Sequence, residues 1–567
     1  MQLSQDLSSK AGPTQLWDYS RDLFERCILF WDALRQRADD LIEHERCGLP
    51  PLLDSQFETI LDARQFDHPV NYMLLRIIPE HASAGPLNEV QKPPVLILGR
   101  GTDQESAASK RTRKWALHLP RATLFISSRS FRNRAADKPL PISCRRYVAL
   151  LGRWFVAIPG RRPSSTVIVK RAGLSRCCRQ TGADLSAPRY SMAHRSPTGP
   201  ARRGSIRCGL RPASMVGPGL HISSLISATG RLDGAWLVQN FENLKPEAQW
   251  KKYADLFTNI DRERDRFLDF ELWWGSFFFL SREEILAIVE NLFIGNQLEN
   301  GLFRICDCCF ADLRAIRNPL VIFASYGDNI TPPHQALGWI PLVYKTTDEL
   351  VRAGQRIVYL TNPHVGHLGL FVSGKVAQRE HRAILAKISE IERLAPGLYE
   401  MKIYEPDASD AAHNEPYSVR FEPRRVEDLK FPTPDPAFRR IKASSATTED
   451  IYNRFFSPFV QACSNPWTAE LAKWLHPMRT SRYLFSPSFS PWLRGLPDLA
   501  KSLRDRRTPL SDDNPYLAAE RTYLSLVAAL IERTRINRDA ALEKMFEAFY
   551  GSASQNLTER SPPSKPH

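Results

Sequence analysis

The chain has 567 residues, 43% hydrophobic and 10% aromatic, a composition that can form a buried core and excludes a wholly disordered chain. That length exceeds one compact core, so a main domain with appended pieces is expected. The net charge of +15 would point to an anionic partner if it were spread out, but residues 101–229 carry 24 Lys and Arg, 20 of them Arg, against Asp103, Glu105, Asp137 and Asp184. The rest of the chain holds 53 basic and 58 acidic side chains.

The opening residues show no basic cap followed by an apolar stretch, and no run approaches the ~20 apolar residues of a membrane span, so a cytoplasmic protein without a span is expected. The ten cysteines are scattered apart from Cys177-Cys178 and the group Cys306, Cys308 and Cys309, and read as reduced thiols. From Leu16 to Ile42 the residues Leu23, Cys27, Phe30, Trp31 and Leu34 recur at helical spacing. Pro93-Pro94 then precedes Val95 to Leu98, an apolar run bounded by Gly99 and Gly101 that reads as an early strand of a parallel sheet. From Gly101 to Thr229, Arg, Ser and Pro are scattered without lasting periodicity, and this middle is expected to be disordered or misfolded, with loss of central sheet pairing.

Order returns at Gly230. Ser281-Arg-Glu-Glu284 is a capping box for a helix with Ile285, Ile288, Val289 and Leu292 on one face, and the aromatic stretch Trp273 to Phe279 before it suits helical core better than an acyl pocket. Asn318 to Ala324 reads as a strand, the stretch through Trp339 and Leu350 as helical, and Arg356 to Leu360 as a second strand, which implies a right-handed crossover in a parallel sheet. Beyond Glu380 the chain reads as mainly helical, with a polar break from Asp407 to Asn414, a late helix opened by Asn514-Pro515, and a disordered tail after Gly551. The expected organisation is a helical region over 1–90, an α/β domain over 91–375, a helical region over 376–551 and a tail over 552–567.

In α/β folds, catalytic groups gather at the carboxyl ends of parallel strands. Asp328 follows one expected strand within Ser325-Tyr-Gly-Asp-Asn-Ile-Thr-Pro332, with the order acid then histidine completed by His367 after the next strand, as in hydrolase triads. A buried carboxylate there would hold the imidazole in one tautomer while its other nitrogen takes a proton from a nucleophile. The plain alternative is that Asp328 caps a turn and His367 is an ordinary loop histidine. His364 is a rival base, but Gly366 and Gly369 flank His367 and allow close backbone approach there. No Gly-x-Ser-x-Gly or Gly-x-Cys-x-Gly elbow occurs in the chain, and Cys306-Asp-Cys-Cys309 lacks a second ligand pair, so neither a metal nor a cofactor is expected.

Several long strings carry a resemblance: Asp54-Ser-Gln-Phe-Glu-Thr-Ile-Leu-Asp62, Phe66-Asp-His-Pro-Val-Asn-Tyr72, Asp233-Gly-Ala-Trp-Leu-Val-Gln-Asn-Phe-Glu242, Phe323-Ala-Ser-Tyr-Gly-Asp-Asn-Ile-Thr-Pro-Pro333 and Gly366-His-Leu-Gly369. Over residues 50–99 and 230–395 the chain resembles a bacterial family of unknown function related to polyhydroxyalkanoate synthases. The resemblance implies an α/β-hydrolase-like parallel sheet with helical N- and C-terminal additions, and acyl transfer or ester hydrolysis through a Cys-His-Asp triad acting on an acyl ester or thioester. Only Asp328 and His367 are matched; the Gly-rich loop and Asn-Cys-Gln elbow that the resemblance places between the matched blocks are absent, so the chain as written is expected to be inactive.

A frameshift over about Gly101 to Thr229, between two compensating insertions or deletions, would account for the gap. With a permitted codon set, Gly101 to Lys110 read two bases later gives His-Gly-Pro-Gly-Ile-Gly-Gly-Phe-Lys, and Ser164 to Gly173 gives Val-Asn-Arg-Asn-Cys-Gln-Ala-Gly, its cysteine codon straddling Ile168 and Val169. Leu220 to Gly230 in the same frame gives Ala-His-Leu-Val-Ala-Asp-Leu-Gly-Asp-Gly. Two other classes stay open: an Arg-rich segment that binds RNA or another polyanion through phosphate contacts, and a noncatalytic scaffold that keeps the fold. Substrate identity and oligomeric state are not readable from the sequence.

Overall fold

The computed structural model describes residues 12–47, 57–62, 72–77, 95–100, 123–128, 166–169, 189–192, 231–277, 279–281, 297–306, 309–310, 312–316, 318–328, 332–366, 379–380, 382–404, 417–430, 447, 450–462 and 466–550. The chain divides into two compact units, one built from 1–51, 233–279 and 462–542, the other from 52–232, 280–461 and 543–567.

The described strands are β1 (Phe57–Asp62), β2 (Tyr72–Ile77), β3 (Val95–Arg100), β4 (Thr123–Ser128), β5 (Thr166–Val169), β6 (Arg189–Met192), β7 (Arg231–Asp233), β8 (Phe279–Ser281), β9 (Arg304–Cys306), β10 (Cys309–Phe310), β11 (Leu320–Ser325), β12 (Arg356–Asn362), β13 (Gly397–Tyr404) and β14 (Ser418–Arg424), and all but β7 and β8 lie wholly in the second unit. Ten of them form one sheet in the order β1-β2-β4-β3-β5-β6-β11-β12-β13-β14, while β7 with β8 and β9 with β10 make separate two-stranded sheets. Within the large sheet β2 is antiparallel to β1 and β4, β14 is antiparallel to β13, and the pairs from β4 through β13 are parallel. That order, with its early β4-β3 reversal and antiparallel second strand, is the arrangement of an α/β-hydrolase sheet.

All six residues of β11 are buried, so both faces of the strand are covered, and this explains why Leu320 to Ser325 reads as a continuous apolar run rather than an alternation. Leu320, Ile322 and Ala324 join Trp339, Ile340, Val343, Leu350, Ile357 and Leu398 in the main core of this unit. The crossover from β11 to β12 contains the helices Pro333–Leu337, Trp339–Val343 and Thr347–Arg352, the last capped by the Thr346 hydroxyl, which accepts from the Glu349 N–H.

Several expectations shift. Strands β1 and β2 fall inside 1–90 and β13 and β14 inside 376–551, regions read as helical; in β13, cross-strand pairing overrides the helix-forming Glu, Met and Lys of Glu400 to Lys402. The described residues of 101–229 are the strands β4, β5 and β6, and the expected loss of central pairing is not seen: Thr166 to Val169, rich in β-branched side chains, pairs with Val95 to Leu98. The capping-box helix expected after Ser281, the polar break at 407–414 and the tail lie outside the described residues.

The first unit is helical. Its Pro13–Arg46 helix opens with proline at the first position, and the Gln15 side chain accepts from the Gly12 N–H. Leu29, Ala33 and Leu34 on that helix pack with Leu256, Ile260, Phe267, Leu268 and Ala500. Trp273 and Trp274, on the last turn of the Ile260–Gly275 helix, are buried, and Trp274 donates its indole N–H to Glu242. Buried ion pairs join the distant segments: Arg26 forks onto Glu520 at 2.7 Å through both terminal nitrogens, and Arg479 bonds Asp233 at 2.9 Å and Glu45 at 3.1 Å.

Candidate active site

The candidate site lies at the carboxyl edge of the large sheet, where β11 and β12 end side by side with Ser325 paired to Asn362. From there the chain turns through Tyr326 and Gly327 into Asp328, whose N–H donates to the Ser325 carbonyl at 3.2 Å. Asp328 is 1% exposed, so its carboxylate is taken out of bulk water at a strand terminus, as an orienting acid requires.

Close backbone approach joins this turn to the loop after β12. A Cβ on Gly327 would lie 2.3 Å from the His364 carbonyl oxygen and 2.9 Å from that of Val365, so only glycine fits. The Asn362 carbonyl accepts from the Tyr326 N–H and from the Ser325 hydroxyl, each at 2.9 Å. The Asn362 side chain accepts from the N–H groups of His364 at 3.0 Å and Val365 at 3.1 Å, and donates to Glu380 at 2.9 Å. His364, the rival base, is exposed. His367 lies outside the described residues, one position beyond Gly366.

His334 heads the crossover a few residues past Asp328. Burial pushes its imidazole below the ordinary histidine range, and its Nε2 is buried without a hydrogen-bond partner among the described residues. A lone histidine inside a Pro-Pro-His-Gln string gave no sequence signal of this.

The strand next to consider is β5, which stands between β3 and β6, two strand spacings or roughly 10 Å from β11. Register places Val169 opposite Ser191, and Ser191 opposite Ile322, so β5 ends toward the same edge as β11 and β12. The four residues that follow it in sequence, Lys170-Arg-Ala-Gly173, contain no hydroxyl or thiol. A buried Ser–His contact does occur in the helical unit, His44 Nδ1 to Ser276 Oγ at 2.8 Å, but the Ser276 hydroxyl donates to the Leu272 carbonyl at 2.5 Å. With its proton so placed the serine accepts from the imidazole, the reverse of an activated nucleophile. Cys306 and Cys309 are backbone register partners in β9 and β10, and no cluster of three metal-ligating side chains occurs among the described residues.

Residues 22–104 and 213–566 match the family described as protein of unknown function DUF3141. The chain belongs to that family. A protein of Rhizobium meliloti described as an uncharacterized protein in the ackA 5' region is 32% identical over 562 residues, covering 94% of this chain and 74% of that protein. Among solved structures, the naproxen esterase (carboxylesterase NP) of Bacillus subtilis is similar at 12% identity over 61% of this chain and 98% of its own, with a TM-score of 0.35. An α/β-hydrolase fold protein of Nakamurella multipartita is similar at 16% identity over 60% of this chain and 99% of its own, with a TM-score of 0.28. The DUF3141 match omits residues 105–212, which fall within the Arg-rich stretch 101–229.

Proposed function

We propose that this DUF3141 protein, in its native reading frame, performs acyl transfer or ester hydrolysis with a cysteine thiolate, encoded across the codons of Ile168 and Val169, as nucleophile, His367 as base and Asp328 as the acid that orients the imidazole. The observation that carries the reading is the meeting at one sheet edge of the ends of β11 and β12, with buried Asp328 after the first and the loop that leads to His367 after the second. In the reaction His367 takes the thiol proton, the thiolate attacks the acyl carbonyl, and the tetrahedral oxyanion is held by backbone N–H donors. Collapse breaks the bond to the alcohol or thiol leaving group, which receives the proton from His367, and the acyl-cysteine then passes its acyl group to water or to a hydroxyl acceptor.

As written, the chain lacks this nucleophile and is inactive. A displaced frame over 101–229 supplies the explanation: the cysteine codon it restores falls at Ile168 and Val169, where β5 ends, and the family match breaks off within the same stretch. The resemblance to polyhydroxyalkanoate synthases read from the sequence motivates an acyl ester or acyl thioester as substrate, handled in the cytoplasm. No helix among the described residues is long and apolar enough to cross a membrane.

The test compares hydrolysis of p-nitrophenyl acyl esters and acyl thioesters by the chain as written, by the frame-restored protein and by its Cys→Ala variant. Activity confined to the restored protein with its cysteine supports the reading; equal rates in all three, or none in any, refute it.

A further inference from the structure

We propose that Asn362 is the positioning residue of this site, a two-sided latch that fixes the loop carrying Asp328 against the loop leading to His367. The inference rests on the acyl-transfer reading for its purpose, and on hydrogen-bond geometry for its content.

Asn362 is the last residue of β12 and joins three pieces of chain that are separate in sequence. Its carbonyl receives the Tyr326 N–H and the Ser325 hydroxyl, which ties the end of β12 to the turn before Asp328. The same Ser325 oxygen accepts from the Gly327 N–H at 3.2 Å, so the turn is held from both sides. Its side-chain oxygen takes both the His364 and Val365 N–H groups, folding the loop back over the strand end, which places the His364 carbonyl against Gly327. Its side-chain nitrogen donates to Glu380, which is 6% exposed.

The chemistry selects asparagine. Two backbone N–H donors need an acceptor and the Glu380 carboxylate needs a donor, and only a side-chain amide offers both on one short stem. Aspartate would satisfy the loop but set a carboxylate against Glu380; alanine would leave the His364 and Val365 N–H groups, the first exposed and the second half-buried, and the buried Glu380 carboxylate without this partner. Because catalytic geometry degrades with displacements of about 1 Å, a latch at the base of both loops governs rate rather than affinity.

The test uses Asn362→Ala and the double exchange Asn362→Asp/Glu380→Gln, which keeps net charge and inverts donor and acceptor across the same contact. Hydrogen exchange of the full chain is followed by mass spectrometry in peptides spanning 322–328 and 360–366. Asn362→Ala is expected to exchange about tenfold faster in both peptides, with the melting temperature of the helical unit unchanged, and the double exchange to restore protection in both. In the frame-restored enzyme, Asn362→Ala lowers kcat about tenfold at unchanged KM, and the double exchange recovers it. Unchanged exchange in Asn362→Ala, acceleration in one peptide alone, or no recovery in the double exchange overturns the latch. Normal exchange behaviour in a restored protein that has no acyl activity overturns the acyl-transfer reading and leaves the latch standing.

Discussion

Glu271 offers the sharpest test of how the helical unit is held together. Its carboxylate is fully buried and receives Arg482 at 3.2 Å, Arg37 at 3.4 Å and Lys252. Burial alone would push its pKa up, but the charges of Arg482, Lys252 and Arg37 outweigh burial and hold it at about 2, against an ordinary value of 4.5. That difference corresponds to roughly 3 kcal/mol of stability at neutral pH. The folded value lies below the unfolded one, so the contribution is complete above pH 4.5 and fades as pH falls toward 2. Glu271→Gln removes the charge while keeping the shape, leaving three cations around a neutral amide, and should cost about 3 kcal/mol at pH 7, within the range for breaking a buried ion pair. Urea unfolding followed by tryptophan fluorescence, with Trp250, Trp273 and Trp274 in this unit as reporters, measures the difference between the two proteins at each pH. The gap should close progressively between pH 4.5 and 2.5. A cost below about 0.5 kcal/mol at pH 7, or one that does not change with pH, would refute the reasoning.

Two further perturbations follow from single contacts. The ring of His476, 2% exposed and edge-on to Trp236, accepts the Met478 N–H at 3.1 Å, and burial keeps its pKa below the ordinary 6.5. Stability is therefore present above pH 6.5 and lost as pH falls below it; His476→Asn, which retains a helix-capping acceptor without a titrating ring, should flatten that slope between pH 7 and 5 in denaturant titrations. Gly327→Ala drives a Cβ to 2.3 Å from a backbone oxygen and should destabilise the α/β unit by about 1–3 kcal/mol in thermal unfolding; a change within 0.5 kcal/mol would mean the two loops do not meet as described.

The sheet was legible where apolar runs are bounded by turn residues: Val95 to Leu98, Asn318 to Ala324 and Arg356 to Leu360 each lie within a strand or overlap most of one, and the second and third belong to the buried strands β11 and β12. β13 was not, since Glu400, Met401 and Lys402 favour helix locally and only their partners in β12 and β14 make them strand. Of the helical unit, the helix through Leu16 to Ile42 and the late helix after Asn514-Pro515 were legible, but the helices over 234–275 and the unit as one body were not, because its contacts, such as Arg26 with Glu520, join residues hundreds of positions apart. At the site, Asp328 stood out through its place after a strand. Asn362 did not: an asparagine ending a strand reads as a turn residue, and its partners Ser325 and Glu380 become neighbours only after folding.

The central claim is that the nucleophile of this site is encoded in a displaced frame at the end of β5. Nucleotide sequencing of the gene across codons 95–235, with the intact mass of the natural protein measured beside it, tests it directly. The account predicts compensating base changes near codons 101 and 229 that open a frame encoding Asn-Cys-Gln, and a natural mass that departs from the 64.6 kDa of the chain as written. A confirmed sequence and a natural mass equal to that of the written chain would contradict the nucleophile assignment and leave residues 101–229 as a genuine Arg-rich segment suited to a polyanion.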